Sequence, residues 1–207
     1  MQQPTWFQWA QRIQAIAQTG LTYGRDPYDL ERYAELRSIA AEILSAHTTA
    51  TPDQWGAALA PERGYPTPKV DIRAVVFDAE ERILLVRERA EGLWSLPGGW
   101  ADAGATPGEM AAREVQEESG YLVRPVKVLA VYDRARHPHP PLLWPCYKLF
   151  IRCELVGGQA AHSLETDGVG FFAATDLPPL SVGRVTEQQL DRLFEHYRQP
   201  DLPTDFD

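Results

Sequence analysis

The sequence predicts an α+β protein in which a small all-α domain precedes a larger domain built around a mixed sheet. Apolar residues recur at helical spacing near the start of the chain, and a cluster of prolines and glycines follows. Beyond it, runs rich in β-branched and aromatic residues alternate with one strong amphipathic helix. We therefore expect a helical domain over residues 1–66 and a second domain over residues 67–207.

The first domain should contain three helices. Asp26 can cap the second helix, because its side chain accepts backbone hydrogen bonds and Pro27 suits the first turn. A shorter third helix should open with Thr51, Pro52 and Asp53. The first helix should end near Gly20, and its apolar residues at helical spacing are Trp6, Trp9, Ile13, Ile16 and Ala17. The corresponding face of the second helix comprises Leu30, Tyr33, Leu36, Ala40, Ile43 and Leu44.

The second domain should begin after a segment that breaks helices, which contains Pro61, Gly64, Pro66 and Pro68. Strand-like runs cover residues 70–78, 82–88, 125–133, 146–155 and 169–173. One helix should start at Thr106, where Thr106 and Glu109 form a capping box around Pro107, and it should end at Gly120. A last helix is expected over about residues 186–197.

Composition excludes several classes of protein. The net charge is −9, with 20 basic against 29 acidic residues, which disfavours binding to duplex nucleic acid. We expect no membrane span, no exported segment and a cytoplasmic location. The only two cysteines lie seven positions apart in one strand-like run and should not pair. His137 and His139 form a weak zinc signal, and a loop between strands explains them better.

Three acids on the strong helix carry the chemical signal. Glu114, Glu117 and Glu118 lie at positions i, i+3 and i+4, so their carboxylates share one face and repel each other. They also stand near the helix C-terminus, where the helix dipole disfavours negative charge. One explanation is a solvated face in which Arg113 pairs with Glu117. The other is a site for a hard divalent cation such as Mg²⁺, since the preceding Gly98–Gly99 turn adds carbonyl oxygens.

These residues resemble the Nudix box, a pattern of glycine, glutamate, arginine and a run of acids at fixed spacing. The matching positions are Gly99, Arg113, Glu114, Val115, Glu117, Glu118 and Gly120, followed by the hydrophobic Tyr121. The first glutamate of the pattern, which helps to orient the arginine, is replaced by Ala105. Glu109 and Glu117 each stand four residues from Arg113 and are the expected substitutes.

The resemblance extends over nearly the whole chain. Residues 14–36 look like the helical domain that precedes the Nudix fold in bacterial hydrolases of nucleoside diphosphates linked to another moiety. Residues 97–102 and 164–172 look most like those of CDP-choline pyrophosphatases. The resemblance implies a Nudix α/β/α sandwich with a mixed sheet and hydrolysis of a phosphoanhydride bond, most closely that of CDP-choline. ADP-ribose hydrolysis and a catalytically silent, nucleotide-binding regulator remain alternatives.

The same resemblance implies roles for individual residues. Mg²⁺, or Mn²⁺ in its place, would be held by the carbonyl of Gly99 and by Glu114, Glu117 and Glu118. The catalytic set would comprise Arg113, Glu114, Glu118 and Glu165. The general base is either a box glutamate or a loop acid, for which Glu165 is preferred over Asp167.

Further candidates could bind the rest of a substrate or a second copy of the chain. The arginines that suit phosphate oxygens are Arg73, Arg87, Arg89 and Arg184. The aromatic side chains for a base or second moiety are Tyr23, Tyr28, Trp94 and Trp100, although ordinary packing is the favoured explanation for each tryptophan. We expect a homodimer, formed either through the apolar patch of Trp6, Phe7 and Trp9 or through the second domain.

Overall fold

A computed structural model describes residues 3–207 and confirms the α+β class. The chain forms two compact units, one of residues 3–68 with 142–144 and one of residues 69–141 with 145–207. The short return of residues 142–144 to the helical unit was not predicted. It is held there because Gln11 donates to the carbonyls of Leu142 and Leu143, at 2.9 and 2.8 Å, and Trp144 packs on the helical core.

The helical unit contains α1 (Thr5–Tyr23), α2 (Pro27–Ala46) and α3 (Pro52–Leu59). The predicted caps are confirmed. Asp26 accepts from the backbone amides of Tyr28 and Asp29 at 3.0 and 3.2 Å. Thr51 opens α3 with a capping box. The helices α2 and α3 therefore start where short polar side chains satisfy the free amides of the first turn, whereas α1 follows Pro4 without a side-chain cap.

The prediction for the end of α1 was wrong, and the prediction for its apolar face was right only in part, since Ala17 is buried. Gly20 does not stop the helix, which continues to Tyr23. A Cβ at Gly20 would lie 2.3 Å from the ring of Tyr33 on α2. This glycine lets two helices approach closely. Trp9 and Ile16, expected to be on the apolar face, are 56% and 55% exposed. The residues that α1 buries are Phe7, Ala10, Gln14, Ala17, Gln18 and Gly20.

The second unit contains two sheets. Its strands are β1 (Lys69–Val76), β2 (Ile83–Glu88), β3 (Trp94–Ser95), β4 (Gly98–Trp100), β5 (Tyr121–Asp133), β6 (Cys146–Gly158), β7 (Thr166–Phe172) and β8 (Asp205–Phe206). The five-stranded sheet has the order β4-β1-β6-β5-β8 and is mixed, because β1 pairs parallel to β6 and β8 parallel to β5. The three-stranded sheet, β3-β2-β7, is antiparallel.

Two helices, α4 (Pro107–Ser119) and α5 (Glu187–Arg198), cover the sheets of this unit. Alternate residues of β1 enter different cores, as expected for a strand that is buried on both faces. Val75 packs in the cluster that contains Leu190, Leu193 and Phe194 of α5. Ile72, Ala74 and Val76 pack with Met110, Ala111 and Val115 of α4. This layering confirms the α/β/α sandwich.

The helix α4 has the predicted ends. Thr106 and Glu109 form the capping box, and Gly120 ends the helix with φ of 77°. A Cβ at Gly120 would lie 2.5 Å from the carbonyl oxygen of Gln159, so both conformation and space require glycine. Cys146 and Cys153 are buried free thiols, as expected. Within residues 3–207, no helix combines the length and the apolar character needed to cross a membrane.

Candidate active site

The acids of α4 lie against the glycine turn that forms β4. Glu118 is buried and accepts a hydrogen bond from the backbone amide of Gly98 at 3.0 Å. A Cβ at Gly99 would lie 3.3 Å from Oε1 of Glu114, so glycine leaves the space next to this carboxylate open. Glu117 is exposed. Two of the three acids are thus partly or fully removed from water beside a turn without side chains.

Burial makes the negative charge of these acids costly. It raises the pKa of Glu118 to about 8, and the charges of Glu114 and Glu88 add to the rise while Gly98 and Arg73 oppose it. The pKa of Glu114 is also raised, first by burial and then by the charge of Glu117. Raised carboxylate pKa values of this kind are typical of functional sites, where a bound cation would compensate the negative charge.

Arg73 is the buried cation beside these acids. Its Nε donates to Asp71 at 3.0 Å, and its Nη1 donates to the carbonyl of Leu96 at 3.1 Å. Asp71 also accepts a hydrogen bond from Lys148, which is fully buried in β6. Burial lowers the pKa of Lys148 to about 8, because the charged ammonium is poorly solvated there. Lys148 was not predicted as part of the site, although a lysine within an apolar strand is a visible signal in the sequence.

Arg113 has a different partner from those expected. Its Nη1 donates to Oδ2 of Asp102 at 2.8 Å. Glu109 instead accepts hydrogen bonds from the backbone amide and hydroxyl of Thr106, both at 2.8 Å. The prediction that Glu109 or Glu117 replaces the missing box glutamate is therefore corrected. Asp102, from the loop after β4, compensates for Ala105, which is partly buried against the core.

The two candidate loop acids have different surroundings. Asp167 accepts a hydrogen bond from Nε of Arg87 at 2.7 Å, and this contact lowers its pKa. Glu165 is exposed, and the next residue, Thr166, donates from its hydroxyl to the backbone carbonyl of Glu118 at 2.6 Å, so the turn that carries Glu165 contacts the end of α4. At Gly168, a Cβ would lie 2.9 Å from Cβ of Arg87 and 3.0 Å from the ring of Trp94. This crowding explains why position 168 carries no side chain.

The candidate phosphate-binding arginines all contact other groups of the chain. Besides Arg73 and Arg87, Arg184 donates to Glu91 at 2.6 Å and pairs with Glu88 at 3.0 Å. Arg89 donates to three backbone carbonyls of residues 163–166. Arg73 is the one among these four whose charge acts on both Glu114 and Glu118.

The aromatic candidates fall into two groups. Trp94 packs edge-on against Phe172, with ring centroids 4.8 Å apart, and contributes to the core. Trp100 is 52% exposed on the edge strand β4, next to the glycine turn. Tyr23 and Tyr28 are exposed on the helical unit. Among these four candidates, Trp100 is therefore the one with an exposed ring on the unit that carries the acids.

The two histidines are structural. The ring of His139 is buried, with Nδ1 2.7 Å from the carbonyl of Val182 and Nε2 3.1 Å from the amide nitrogen of Gln189. Burial lowers its pKa to about 4, so the ring is neutral. His137 contacts Asp207 at 3.2 Å. Both imidazoles thus have protein partners, which removes the reason to consider zinc.

The type of ligand atom at the α4 acids indicates whether a divalent cation would fit there. In the part of the chain that the structure describes, no three His, Cys, Asp or Glu side chains already converge closely enough to hold a metal ion. The acids of α4 nevertheless supply oxygen ligands only, which suits Mg²⁺ or Mn²⁺. Burial of Glu118 and Glu114 with raised pKa values favours a cation at this face. Binding would require the flexible carboxylates to turn towards one another.

This chain combines an α/β/α sandwich with acidic side chains of a helix beside a glycine turn. That combination is typical of the Nudix class of proteins. The NUDIX domain family matches residues 67–193, and a family described as "UDP-X-like, N-terminal oligomerisation domain" matches residues 4–56. The chain belongs to the Nudix hydrolase family. Nudix hydrolases generally use a divalent metal.

Several relatives cover most of the chain. "Putative ADP-ribose pyrophosphatase YjhB" of Bacillus subtilis (strain 168) is 46% identical over 99% of this chain and 98% of its own length. The crystal structure of an ADP-ribose pyrophosphatase from Streptococcus suis is 42% identical, with a TM-score of 0.63, over 68% of this chain and 100% of that one. The crystal structure of a UDP-X diphosphatase is 34% identical, with a TM-score of 0.64, and each chain is covered completely.

Proposed function

We propose that the protein hydrolyses the phosphoanhydride bond of a nucleoside diphosphate linked to another moiety, with Mg²⁺ or Mn²⁺ as cofactor. The observation that carries this proposal is the pair of buried acids, Glu114 and Glu118, beside the Gly98–Gly99 turn of a Nudix domain. Water adds to one phosphorus, the anhydride P–O bond breaks, and two monophosphates leave.

The metal-binding residues in this proposal are Glu114, Glu117 and Glu118, with the carbonyl of Gly99. When bound, the divalent cation would neutralise diphosphate charge and polarise phosphorus. The buried arrangement supports this assignment, because Glu118 is already oriented by the amide of Gly98 and both buried acids have raised pKa values. Arg113, held by Asp102, is the positioning residue on the outer side of the helix.

Glu165 is the proposed general base. Its exposed carboxylate belongs to the turn that the Thr166 hydroxyl attaches to the end of α4, and Asp167 is less suited because it pairs with Arg87. The proton of the attacking water passes to the Glu165 carboxylate, a role that typically contributes a factor of about 100 to 10,000. Arg73 supplies fixed positive charge beside the acids.

Two substrates are favoured by different observations. CDP-choline is favoured by the resemblance of residues 97–102 and 164–172, which lie in β4 with the following loop and in the Glu165 turn with β7. ADP-ribose is favoured by the names of two relatives, at 46% and 42% identity. We propose CDP-choline as the preferred substrate and ADP-ribose as the second candidate.

A substrate comparison tests this proposal. We expect Mg²⁺-dependent release of monophosphates from a panel of CDP-choline, ADP-ribose and a UDP-linked sugar, with the highest kcat/KM for CDP-choline. Hydrolysis in ¹⁸O-labelled water then identifies the phosphorus attacked. A higher kcat/KM for ADP-ribose would reject the substrate preference, and turnover of none of the panel would reject the proposed reaction.

We also propose that the protein is a homodimer assembled through its helical unit. The family match of residues 4–56 to a domain described as an oligomerisation domain supports this, and so do the exposed Trp9 and Ile16 of α1. Sedimentation at micromolar concentration should give twice the mass of the 23.2 kDa chain. A monomer would contradict the proposal, and Trp9→Ser should weaken the dimer whereas Trp100→Ser on the other unit should not.

A further inference from the structure

The segment that carries Glu165 is held by an arginine at the end of β2. Arg89 donates from Nη2 to the carbonyls of Ser163 and Thr166, at 3.1 and 3.2 Å, and from Nε to the carbonyl of Leu164 at 3.2 Å. Its own backbone amide donates to the carbonyl of Glu165 at 2.8 Å. One arginine therefore contacts the backbone of all four residues of the 163–166 turn.

These contacts differ from those of an ordinary surface arginine. Within residues 3–207, Arg89 forms no close ion pair with a carboxylate, although its side chain is exposed. The planar guanidinium presents several donors in a fixed arrangement, which suits a set of carbonyls better than a single point charge does. Arg89 thus holds the conformation of a turn through its hydrogen bonds, and its charge also contributes to the lowered pKa of the neighbouring Asp167.

The other side of the same turn is attached to α4. The hydroxyl of Thr166 donates to the carbonyl of Glu118 at 2.6 Å, and the hydroxyl of Ser163 accepts from the amide of Glu165 at 3.1 Å. Glu165 therefore stands between an anchor on β2 and an anchor on the last turn of the acidic helix. Its separation from the acids of α4 depends on both anchors.

We propose that Arg89 is a positioning residue for hydrolysis, whose guanidinium holds the 163–166 turn so that the Glu165 carboxylate stays beside the acids of α4. This inference rests on the proposed function, in which Glu165 accepts the proton of the attacking water. Arg89 does not touch the substrate in this scheme. Its effect reaches the reaction only through the geometry of Glu165, and misplacement by about 1 Å can reduce a rate about 100-fold.

Kinetics of Arg89→Met, Arg89→Lys, Glu165→Gln and the Arg89→Met/Glu165→Gln double variant test the inference. Arg89→Met should lower kcat about 10- to 100-fold and leave KM within about threefold, because substrate contacts are retained. Arg89→Lys should stay similarly low, because an ammonium keeps the charge without the fork of donors. The double variant should be no slower than Glu165→Gln alone.

Arg82→Met is the matched control. Arg82 stands before β2 as Arg89 stands after it, and it similarly donates to its local turn, through Asp78 at 2.7 Å and Glu80 at 3.1 Å. This variant should retain wild-type kcat. Hydrogen–deuterium exchange of residues 159–166 should quicken in Arg89→Met and stay unchanged in Arg82→Met, which reads the anchoring independently of turnover.

Several results would overturn the inference. Wild-type kcat in Arg89→Met, full restoration by Arg89→Lys, or a double variant as slow as the product of the two single effects would each reject the positioning role. Unchanged exchange of residues 159–166 in Arg89→Met would also reject it. If the wild-type enzyme turns over its substrate, these outcomes reject the inference but leave the proposed function intact. A wild-type enzyme that is inactive on the whole panel rejects both the inference and the proposed function.

Discussion

Glu118→Gln should lower kcat about 1,000-fold or more, which corresponds to roughly 4 kcal/mol of lost transition-state stabilisation. Glutamine keeps the size of the side chain and can still accept the hydrogen bond from Gly98. It removes the negative charge that the proposed cation requires. Glu114→Gln should have an effect of the same order, because this carboxylate borders the open space at Gly99. Steady-state kinetics with saturating Mg²⁺ measure both losses.

Glu118→Gln should lower kcat but should stabilise the metal-free protein against unfolding. The pKa of Glu118 is about 8 in the folded chain, above its ordinary value of 4.5, so the folded state binds more protons than the unfolded state between these pH values. Ionised Glu118 therefore destabilises the fold increasingly as pH rises from 4.5 towards 8. At pH 7 without metal, Glu118→Gln should raise the free energy of unfolding by roughly 3 kcal/mol, which thermal or urea unfolding in EDTA measures.

Added Mg²⁺ should reverse that ranking, because the wild-type protein gains stability from a ligand that binds only the folded state. The matched control is Glu109→Gln on the same helix, since glutamine serves a capping box as well as glutamate does. It should retain turnover and the Mg²⁺-dependent rise in melting temperature. Near-normal turnover in both Glu114→Gln and Glu118→Gln would contradict the proposed site.

The parts of this fold that the sequence predicts well depend on local interactions. The start of α2 at Asp26 and both ends of α4 follow from side chains that satisfy neighbouring backbone groups, so a few residues suffice to locate them. The shared face of the α4 acids likewise follows from helical spacing alone. The long strands follow from runs of apolar residues, although β5 begins at Tyr121, earlier than its apolar run suggests.

The parts that the sequence does not predict depend on contacts distant in the chain. The strands β3, β4 and β8 have two or three residues each and exist because they pair with longer neighbours. The Asp102–Arg113 pair joins a loop to a helix, and the space available at Gly168 is set by Trp94. Gly20 was interpreted as a helix end, whereas its role is close packing against Tyr33. The local sequence pattern does not distinguish a glycine that ends a helix from one that allows close packing.

The buried network of Asp71, Arg73 and Lys148 is the strongest case of such long-range dependence. Arg73 and Lys148 are 5% and 0% exposed, and both donate to Asp71, whose pKa is lowered because these cations outweigh its burial. Removing one member of a buried charge network leaves the others uncompensated, at a cost of about 3–5 kcal/mol. Asp71→Asn should therefore reduce the free energy of unfolding by about that amount, measured by urea denaturation at pH 7.

Removing Lys148 as well should restore part of the free energy of unfolding that Asp71→Asn loses. In Asp71→Asn/Lys148→Met, the ammonium that Asp71 balanced is absent, so the double variant should be more stable than Asp71→Asn. Lys148→Met alone should cost less than Asp71→Asn, because Arg73 still compensates Asp71. Groups in contact typically show interaction energies of about 0.5–3 kcal/mol in such a cycle. Additive losses would mean that Asp71 and Lys148 do not stabilise each other.

The pH dependence separates lost charge balance from lost packing. Asp71 opposes the burial that lowers the pKa of Lys148, so this pKa should fall below about 8 in Asp71→Asn. A lysine whose folded pKa is lowered binds more protons in the unfolded state, and stability then rises with pH between the two values. The deficit of Asp71→Asn relative to wild type should therefore be smaller at pH 9 than at pH 6. The same substitution made in Lys148→Met should give a deficit that changes much less with pH, and an equal pH dependence in both backgrounds would assign the loss to packing.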